Sequence, residues 1–223
     1  MSLGKRALDI LVSALLLALL SPVILVVALA VLLRDGRPVF FASERMNGPE
    51  SAFTLWKFRT MRNDPNDAGV TGADKTDRIT GTGRWLRKRR LDELPQLWNV
   101  LRGDISLVGP RPPLRLYVEE APELYARVLR NRPGITGLAT LVYVRHEEAV
   151  LSGCRSPQET HDAYLRRCVP AKAHIDLIYG QNRSLCFDLV LLWRTLRTVT
   201  RSDKRGRRRF ARARRKAAQH GLS

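Results

Sequence analysis

Residues 10–33 read ILVSALLLALLSPVILVVALAVLL, and the fold turns on how these 24 positions are read. No charged residue interrupts them. As a straight helix they would run roughly 36 Å, enough to cross a hydrocarbon core of about 30 Å. A cleavable signal peptide is excluded, because the apolar run exceeds such a segment and no small-x-small pattern follows before Arg34. One spanning helix is the plain reading. Ser21-Pro22, near the middle, permits another: proline removes a backbone hydrogen bond and bends a helix, so two half-helices can enter and leave by one face. Lys5 and Arg6 precede the run and Arg34 and Arg37 follow it, and cationic flanks prefer the cytoplasmic side. Asp9 is placed to pair with a cation from the far end and hold such a hairpin closed. On these residues alone the spanning helix and the re-entrant hairpin both stay open.

The rest of the chain is strongly basic, with 39 Lys and Arg against 21 Asp and Glu and a net charge of +18. Half of that excess lies in residues 201–223, RSDKRGRRRFARARRKAAQHGLS, a stretch expected to be disordered and to bind polyanions. Nucleic acid and an anionic membrane leaflet both qualify. Three cysteines, Cys154, Cys168 and Cys186, have no CxxC spacing, which argues against a disulfide framework or a zinc site and suits a reducing cytoplasm.

Residues 38–61 read as two short strands around a turn at Asn47-Gly48-Pro49. Lys57 and Arg59 in the second strand serve either to protect a sheet edge or to bind an anion. Residues 63–83 are polar and rich in Gly, Asp and Thr, which predicts a loop. Residues 113–131 predict one surface helix, and NRPGITGLA (131–139) predicts a turn into a strand, LATLVYV. Ser156-Pro157-Gln158-Glu159 has capping-box spacing and predicts a helix to about Cys168. In 185–199, Leu185, Leu189, Leu192, Leu196 and Val199 share one side of a helix, as either core packing or an interfacial helix.

The stretch LRKRRLDELPQLWNVLRG (86–103) carries the chemistry. Leu94, Leu97, Trp98 and Leu101 form a helical stripe, Pro95 is tolerated only in a first turn, and Gly103 marks the end. Asp92 and Glu93 therefore lie at a helix start, where free N–H groups favour negative charge. Asp92 as N-cap and Glu93 as a first-turn acid would account for the pair at about 1–2 kcal/mol. Against so plain a role stand Arg87, Arg89 and Arg90 before the pair and Gly109-Pro110-Arg111-Pro112 after it. An arginine held between prolines loses little entropy on clamping a phosphate.

KRALD before the apolar run, the Ser-Pro within it, PVFF, KFRTM, LDELPQLWNVLRGDISLVGPRP, RPGITGLA and NRSLCFDLVLLWRT together resemble the bacterial sugar transferase family of monotopic polyprenol-phosphate phosphoglycosyl transferases, in its minimal catalytic form. The resemblance implies an α+β monotopic protein at the cytoplasmic face of the bacterial inner membrane. It implies a re-entrant hairpin (1–36, with Lys5, Arg6, Asp9, Ser21 and Pro22), a catalytic domain with a short β-hairpin and membrane-surface helices (37–200), and the polybasic tail (201–223). It further implies transfer of sugar-1-phosphate from a UDP-sugar to undecaprenyl phosphate, with release of UMP. Asp92 would be the covalent nucleophile, Glu93 its partner in catalysis, and both carboxylates ligands of Mg²⁺. Lys57, Arg59, Arg87 and Arg111 match family basic positions for phosphate or uridine. An anionic bilayer is an expected partner, a homodimer is compatible, and nucleic acid is not expected. The chain departs from the family pattern at Arg89-Arg90, where Ser or Thr is common, and at TLVYVRHEEAVLSG after the Gly-Leu-Ala. An inactive membrane scaffold of the same family and a membrane-tethered nucleic-acid-binding protein are the alternatives.

Overall fold

The computed structural model describes residues 2–62, 64, 70 and 72–198, so the expected tail, 201–223, lies outside the described residues. The apolar run forms a single helix, α1 (Leu3–Asp35), capped by Ser2, whose Oγ accepts from the Lys5 N–H, and closed by Gly36 at φ 76°. The helix continues through the expected break point. Pro22 has no N–H for the Ala18 carbonyl four residues back, and the Ser21 hydroxyl donates to that carbonyl instead, at 2.9 Å. The serine thus satisfies the group that the proline leaves without its helical donor.

Both halves of α1 pack on the same body. Val12, Leu16 and Leu17 lie against Val100, Ile105, Leu107 and Leu191, while Val27 and Val31 form a second cluster with Phe58 and Leu86. Between and around these contacts Leu15, Leu19, Leu25, Val26 and Leu33 remain 66–75% exposed, an apolar face that no described residue covers. Polar contacts fasten both ends. Lys5 Nζ donates to Asp188 at 2.5 Å and to the Val108 carbonyl at 3.0 Å, and Arg6 donates to the carbonyls of Val100 and Leu101 at 2.6 and 2.7 Å. Asp9, 1% exposed, accepts from Ser106 Oγ at 2.8 Å and Leu107 N–H at 3.1 Å. The expectation that Asp9 pairs with a cation from the far end is corrected, because a buried strand takes both its oxygens. At the other end Arg59 donates to the carbonyls of Asp35, Gly36 and Arg37, and Thr80 Oγ1 donates to Asp35 at 3.0 Å.

The expected hairpin is present: β1 (Phe40–Met46) pairs antiparallel with β2 (Ala52–Phe58), placing Phe41 opposite Lys57 and Arg45 opposite Phe53. Helix α2 (Gly81–Arg89) begins at Thr80, whose Oγ1 accepts from Gly83 N–H at 2.8 Å. A short 3₁₀ turn, Leu91–Glu93, leads into α3 (Gln96–Arg102), which Gly103 terminates at φ 92°. Two three-residue strands that sequence periodicity could not reveal, β3 (Ser106–Val108) and β4 (Gly134–Thr136), pair in parallel. Their approach requires glycine: a Cβ on Gly109 would lie 2.2 Å from the Arg132 carbonyl oxygen, and one on Gly134 2.2 Å from the Gly109 nitrogen.

The single helix expected over 113–131 is two, α4 (Arg115–Glu120) and α5 (Pro122–Val128), because proline starts a new helix rather than continuing the old one. The strand expected over 138–144 is helical, as α6 (Leu138–Val142) and the start of α7 (Val144–Leu151). Its apolar residues suit a strand locally, but α6 packs on a later helix and the packing decides. Ser156 caps α8 (Pro157–Ala163) as expected, and one π-helical turn, Tyr164–Cys168, joins it to α9 (Val169–Asn182). The last helix described, α10 (185–198), buries Asp188 and Leu191 and leaves Leu185, Leu189 and Leu196 exposed together with Val190 and Trp193. Of the leucine stripe read from the sequence, Leu185, Leu189 and Leu196 thus face outward, Leu192 packs against the core cluster of Leu191 and Tyr179, and Val199 lies outside the described residues.

Candidate active site

Asp92 and Glu93 sit in the 3₁₀ turn between α2 and α3, and they are treated very differently. Arg90, in the left-handed region at φ 55°, reverses the chain after α2 and returns its own guanidinium to Glu93 Oε2 at 2.6 Å. Arg111 reaches Glu93 Oε1 at 3.0 Å. Both oxygens of Glu93 are thus held by guanidinium groups. No described residue hydrogen-bonds or ion-pairs with the Asp92 carboxylate, which is half-buried. Asp92 also caps nothing. The turn is preceded by Arg90 and α3 by Pro95, neither with a side-chain cap, so the N-cap expectation is corrected.

Two scaffolds aim the cations. The Gly109-Pro110-Arg111-Pro112 turn is tied to β4 by Gly109 N–H to Thr136 carbonyl (2.9 Å) and Gly134 N–H to Pro110 carbonyl (2.8 Å), and to β1 by Met46 N–H to Pro113 carbonyl (3.0 Å). Lys57 is set by Asn99, fully buried on α3, whose Oδ1 accepts from Trp56 N–H at 3.1 Å and whose Nδ2 donates to Thr54 carbonyl at 2.8 Å. Asn99 therefore locks β2 to the helix that follows the carboxylates, a role invisible in sequence. Arg45, on β1, joins the group by donating to Pro112 carbonyl at 3.3 Å.

Electrostatics sharpen the contrast between the acids. Burial works to raise the Glu93 carboxyl, and the charges of Arg111, Arg90 and Lys57 overcome it, holding it down to about 2. Burial and the adjacent Glu93 charge push Asp92 above the usual carboxylate range, against Lys57, Arg87 and Arg90. The guanidinium contacts go to Glu93 instead. Burial above all, then the charges of Arg111 and Arg45, brings the Lys57 ammonium down to about 7. Crowded cations of this kind gain most from the arrival of a multiply charged anion.

Of the six residues expected at the site, Asp92, Glu93, Lys57 and Arg111 converge. Arg87 adds its charge beside Asp92 while its Nε donates to Thr60 Oγ1 at 2.9 Å. Arg59 does not join them. Its Nη1 and Nη2 donate to the carbonyls at the C-terminal end of α1, where a cation complements the helix dipole. Arg90 and Arg45 were missed. The Arg-rich run signalled a cationic neighbourhood but not which member turns back, and Arg45 gave no local signal.

No group of three or more His, Cys, Asp or Glu side chains that could hold a metal occurs among the described residues. The donor set fits a weakly held Mg²⁺ only through Asp92, because Glu93 already faces two guanidinium groups that would repel a cation. One carboxylate with phosphate oxygens and water is a common environment for this ion.

Beyond Arg90 and Arg111 opens a cleft of about 380 Å³, whose other wall comes from α6, α7 and Lys172 of α9. Asp176, one turn after Lys172 and 5% exposed, is lifted by burial to about 7, against the Lys172 charge and the Ala139 N–H, and its Oδ1 has no partner. A carboxyl raised from 3.8 in this way supports the fold fully below pH 3.8, and that support is lost as pH rises through 7. Asp176→Asn is therefore expected to melt higher than wild type at pH 8 and level with it at pH 4. Thermal scans at both values check this, and an equal gap at both would show that Asp176 does not titrate in the fold.

The chain is similar in sequence to known proteins. The family model for bacterial sugar transferases matches residues 1–202. A "UDP-glucose:undecaprenyl-phosphate glucose-1-phosphate transferase" of Caulobacter vibrioides is 38% identical over 206 residues, covering 90% of this chain and 71% of that protein. An "Uncharacterized sugar transferase EpsL" of Bacillus subtilis is 38% identical over 199 residues, covering 89% and 88%. An "Undecaprenyl-phosphate glucose phosphotransferase" of Komagataeibacter xylinus is also 38% identical, over 87% of this chain but only 35% of its own length. The chain thus spans about a third of that longer relative and most of the Bacillus one.

Proposed function

The chain belongs to the bacterial sugar transferase family, and from that premise we propose that it transfers sugar-1-phosphate from a UDP-sugar to undecaprenyl phosphate through a covalent intermediate on Asp92. The observation that carries this reading is the division of labour between the acids: Glu93 is bound on both oxygens, while Asp92 beside it has no hydrogen-bond or ion-pair partner among the described residues and lies within the field of Lys57, Arg87 and Arg90. In the first half-reaction an Asp92 oxygen attacks the sugar-side phosphorus of the donor. The bond from that phosphorus to the bridging oxygen breaks, and UMP leaves with the electron pair. In the second, an oxygen of the lipid phosphate attacks the same phosphorus, the bond to Asp92 breaks, and the carboxylate is regenerated.

Lys57, Arg87 and Arg111 neutralise the diphosphate, and Glu93 orients Arg90 and Arg111 rather than attacking. Mg²⁺, held by Asp92 and the donor's own phosphate oxygens, would supply further neutralisation of the phosphate charge. The Lys57 ammonium, lowered to about 7, is favoured in its charged form when the anionic donor arrives.

The membrane geometry belongs to the same proposal. A helix that crosses a bilayer has its ends on opposite faces, yet Asp9 and Asp35 of α1 are both bonded to one body. That favours re-entry from the cytoplasmic face, with the exposed leucines of α1 in lipid and α10 lying along the headgroups on Leu189 and Trp193. Such a seat sets the carboxylates at the height of a lipid phosphate.

The test is UMP release by the purified full-length chain in nanodiscs, with a panel of UDP-sugars, Mg²⁺ and undecaprenyl phosphate. At least one donor is expected to give a first turnover without the lipid and multiple turnovers with it. UMP release from no donor, by folded protein in the bilayer, overturns the reading in favour of a scaffold.

A further inference from the structure

The cleft beyond Arg90 and Arg111 is lined by unlike groups. Besides the two guanidinium groups, its wall carries Thr140 of α6, Glu147 of α7, Ser152 just after it and Lys172 of α9. Glu147 is not a loose surface acid. Lys172 holds its Oε2 at 2.8 Å, and Lys172 is itself fixed by a hydrogen bond to the Tyr164 hydroxyl at 3.1 Å and by lying 5.0 Å above that ring. A carboxylate pinned through one oxygen presents the other as an acceptor only.

Resting on the proposed phosphosugar transfer, we infer that this wall of Thr140, Glu147 and Ser152 is the subsite for the sugar ring, with Glu147 accepting hydrogen bonds from its hydroxyls and selecting a neutral hexose over a hexuronate. The donor carries a dianionic diphosphate, which Arg90 and Arg111 suit, joined to a ring rich in O–H donors, which Glu147 suits. The alternative occupant, uracil, fits poorly. It offers one N–H donor against two carbonyl acceptors, which would face the Glu147 carboxylate, and no described residue lining the cleft has an aromatic ring on which it could stack. A uronic acid would bring its carboxylate against Glu147 and pay a like-charge penalty at short range. The wall is built from one continuous segment, residues 140–152, which spans α6 and α7.

The experiment is calorimetric binding of UDP, UDP-glucose and UDP-glucuronate to the full-length chain in nanodiscs, for wild type, Glu147→Gln, Glu147→Ala and Thr140→Val. Wild type is expected to prefer UDP-glucose to UDP-glucuronate by about tenfold or more, the scale of one charged hydrogen bond. Glu147→Ala should weaken UDP-glucose about tenfold and leave UDP unchanged, and Glu147→Gln should close the gap to UDP-glucuronate. Thr140→Val, a small change that keeps the Glu147–Lys172 pair, should weaken UDP-glucose and not UDP. Losses shared equally by UDP and UDP-glucose, or no change in either, would overturn the subsite. Binding that discriminates as expected without any UMP release would instead leave the subsite standing and remove the transfer reaction.

Discussion

Asp92→Asn is expected to abolish UMP release, by about 10⁴-fold or more, as removal of a covalent nucleophile does. The amide keeps the shape of the side chain and loses the charge that attacks phosphorus. What makes the prediction specific is its companion in stability. Burial and Glu93 raise the Asp92 carboxyl above 3.8, so ionising it works against the fold at every pH above that value. The neutral asparagine escapes this, and the variant is expected to melt at or above wild type at pH 7 and to lose that advantage near pH 4. Radiolabelled donor traps the argument from the other side: wild type should retain sugar phosphate on the chain without lipid, and Asp92→Asn should not. A dead variant that also melts lower at pH 7 would mark Asp92 as structural instead.

Asp188→Ala is expected to destabilise the protein by about 3–5 kcal/mol, since it strands a buried ammonium. Asp188 and Lys5 are 3% and 13% exposed in their side chains, and the Asp188 carboxylate accepts from both Lys5 and the Tyr179 hydroxyl, the latter at 2.7 Å. Without it, Lys5 keeps only the Val108 carbonyl and a long contact to Tyr179 at 3.5 Å. The expected fall in melting temperature is on the order of 10 °C. The double variant Lys5→Met/Asp188→Leu, which removes both charges, should recover most of it. Equal losses in single and double variants would show that packing, not charge, is at stake. Turnover should fall as well, because Val108 ends the strand that delivers Arg111.

The same bond shows where sequence reading stops. Lys5 was legible as a flanking cation of an apolar run, and as nothing more; its partners lie 103 and 183 residues away. Asp9 was legible as an acid at the edge of a helix, and its partners lie 97 and 98 residues away. Arg59 sat in a strand that reads as basic and functional, and became instead the cap of a helix that ends 24 residues before it. No periodicity or spacing rule carries such partners, because each is chosen by where two distant segments meet.

The sequence by itself determined what is written in a few adjacent residues. The apolar helix, the Asn47-Gly48 hairpin, the Ser156 cap and the presence of an acid pair beside arginines all follow from backbone sterics and local hydrogen bonding, which act within one turn of chain. Only the tertiary structure decided which of the two acids the guanidinium groups hold. Asp92 and Glu93 are neighbours with nearly the same chemistry, and the difference between them comes from Arg111, brought to Glu93 by a parallel strand pair that no local pattern announces. Helix α6 was decided in the same way, against its β-favouring residues, by the helix it packs on. Contacts across the fold are strong where water is excluded, and there they outweigh local preferences of a few tenths of a kcal/mol per residue.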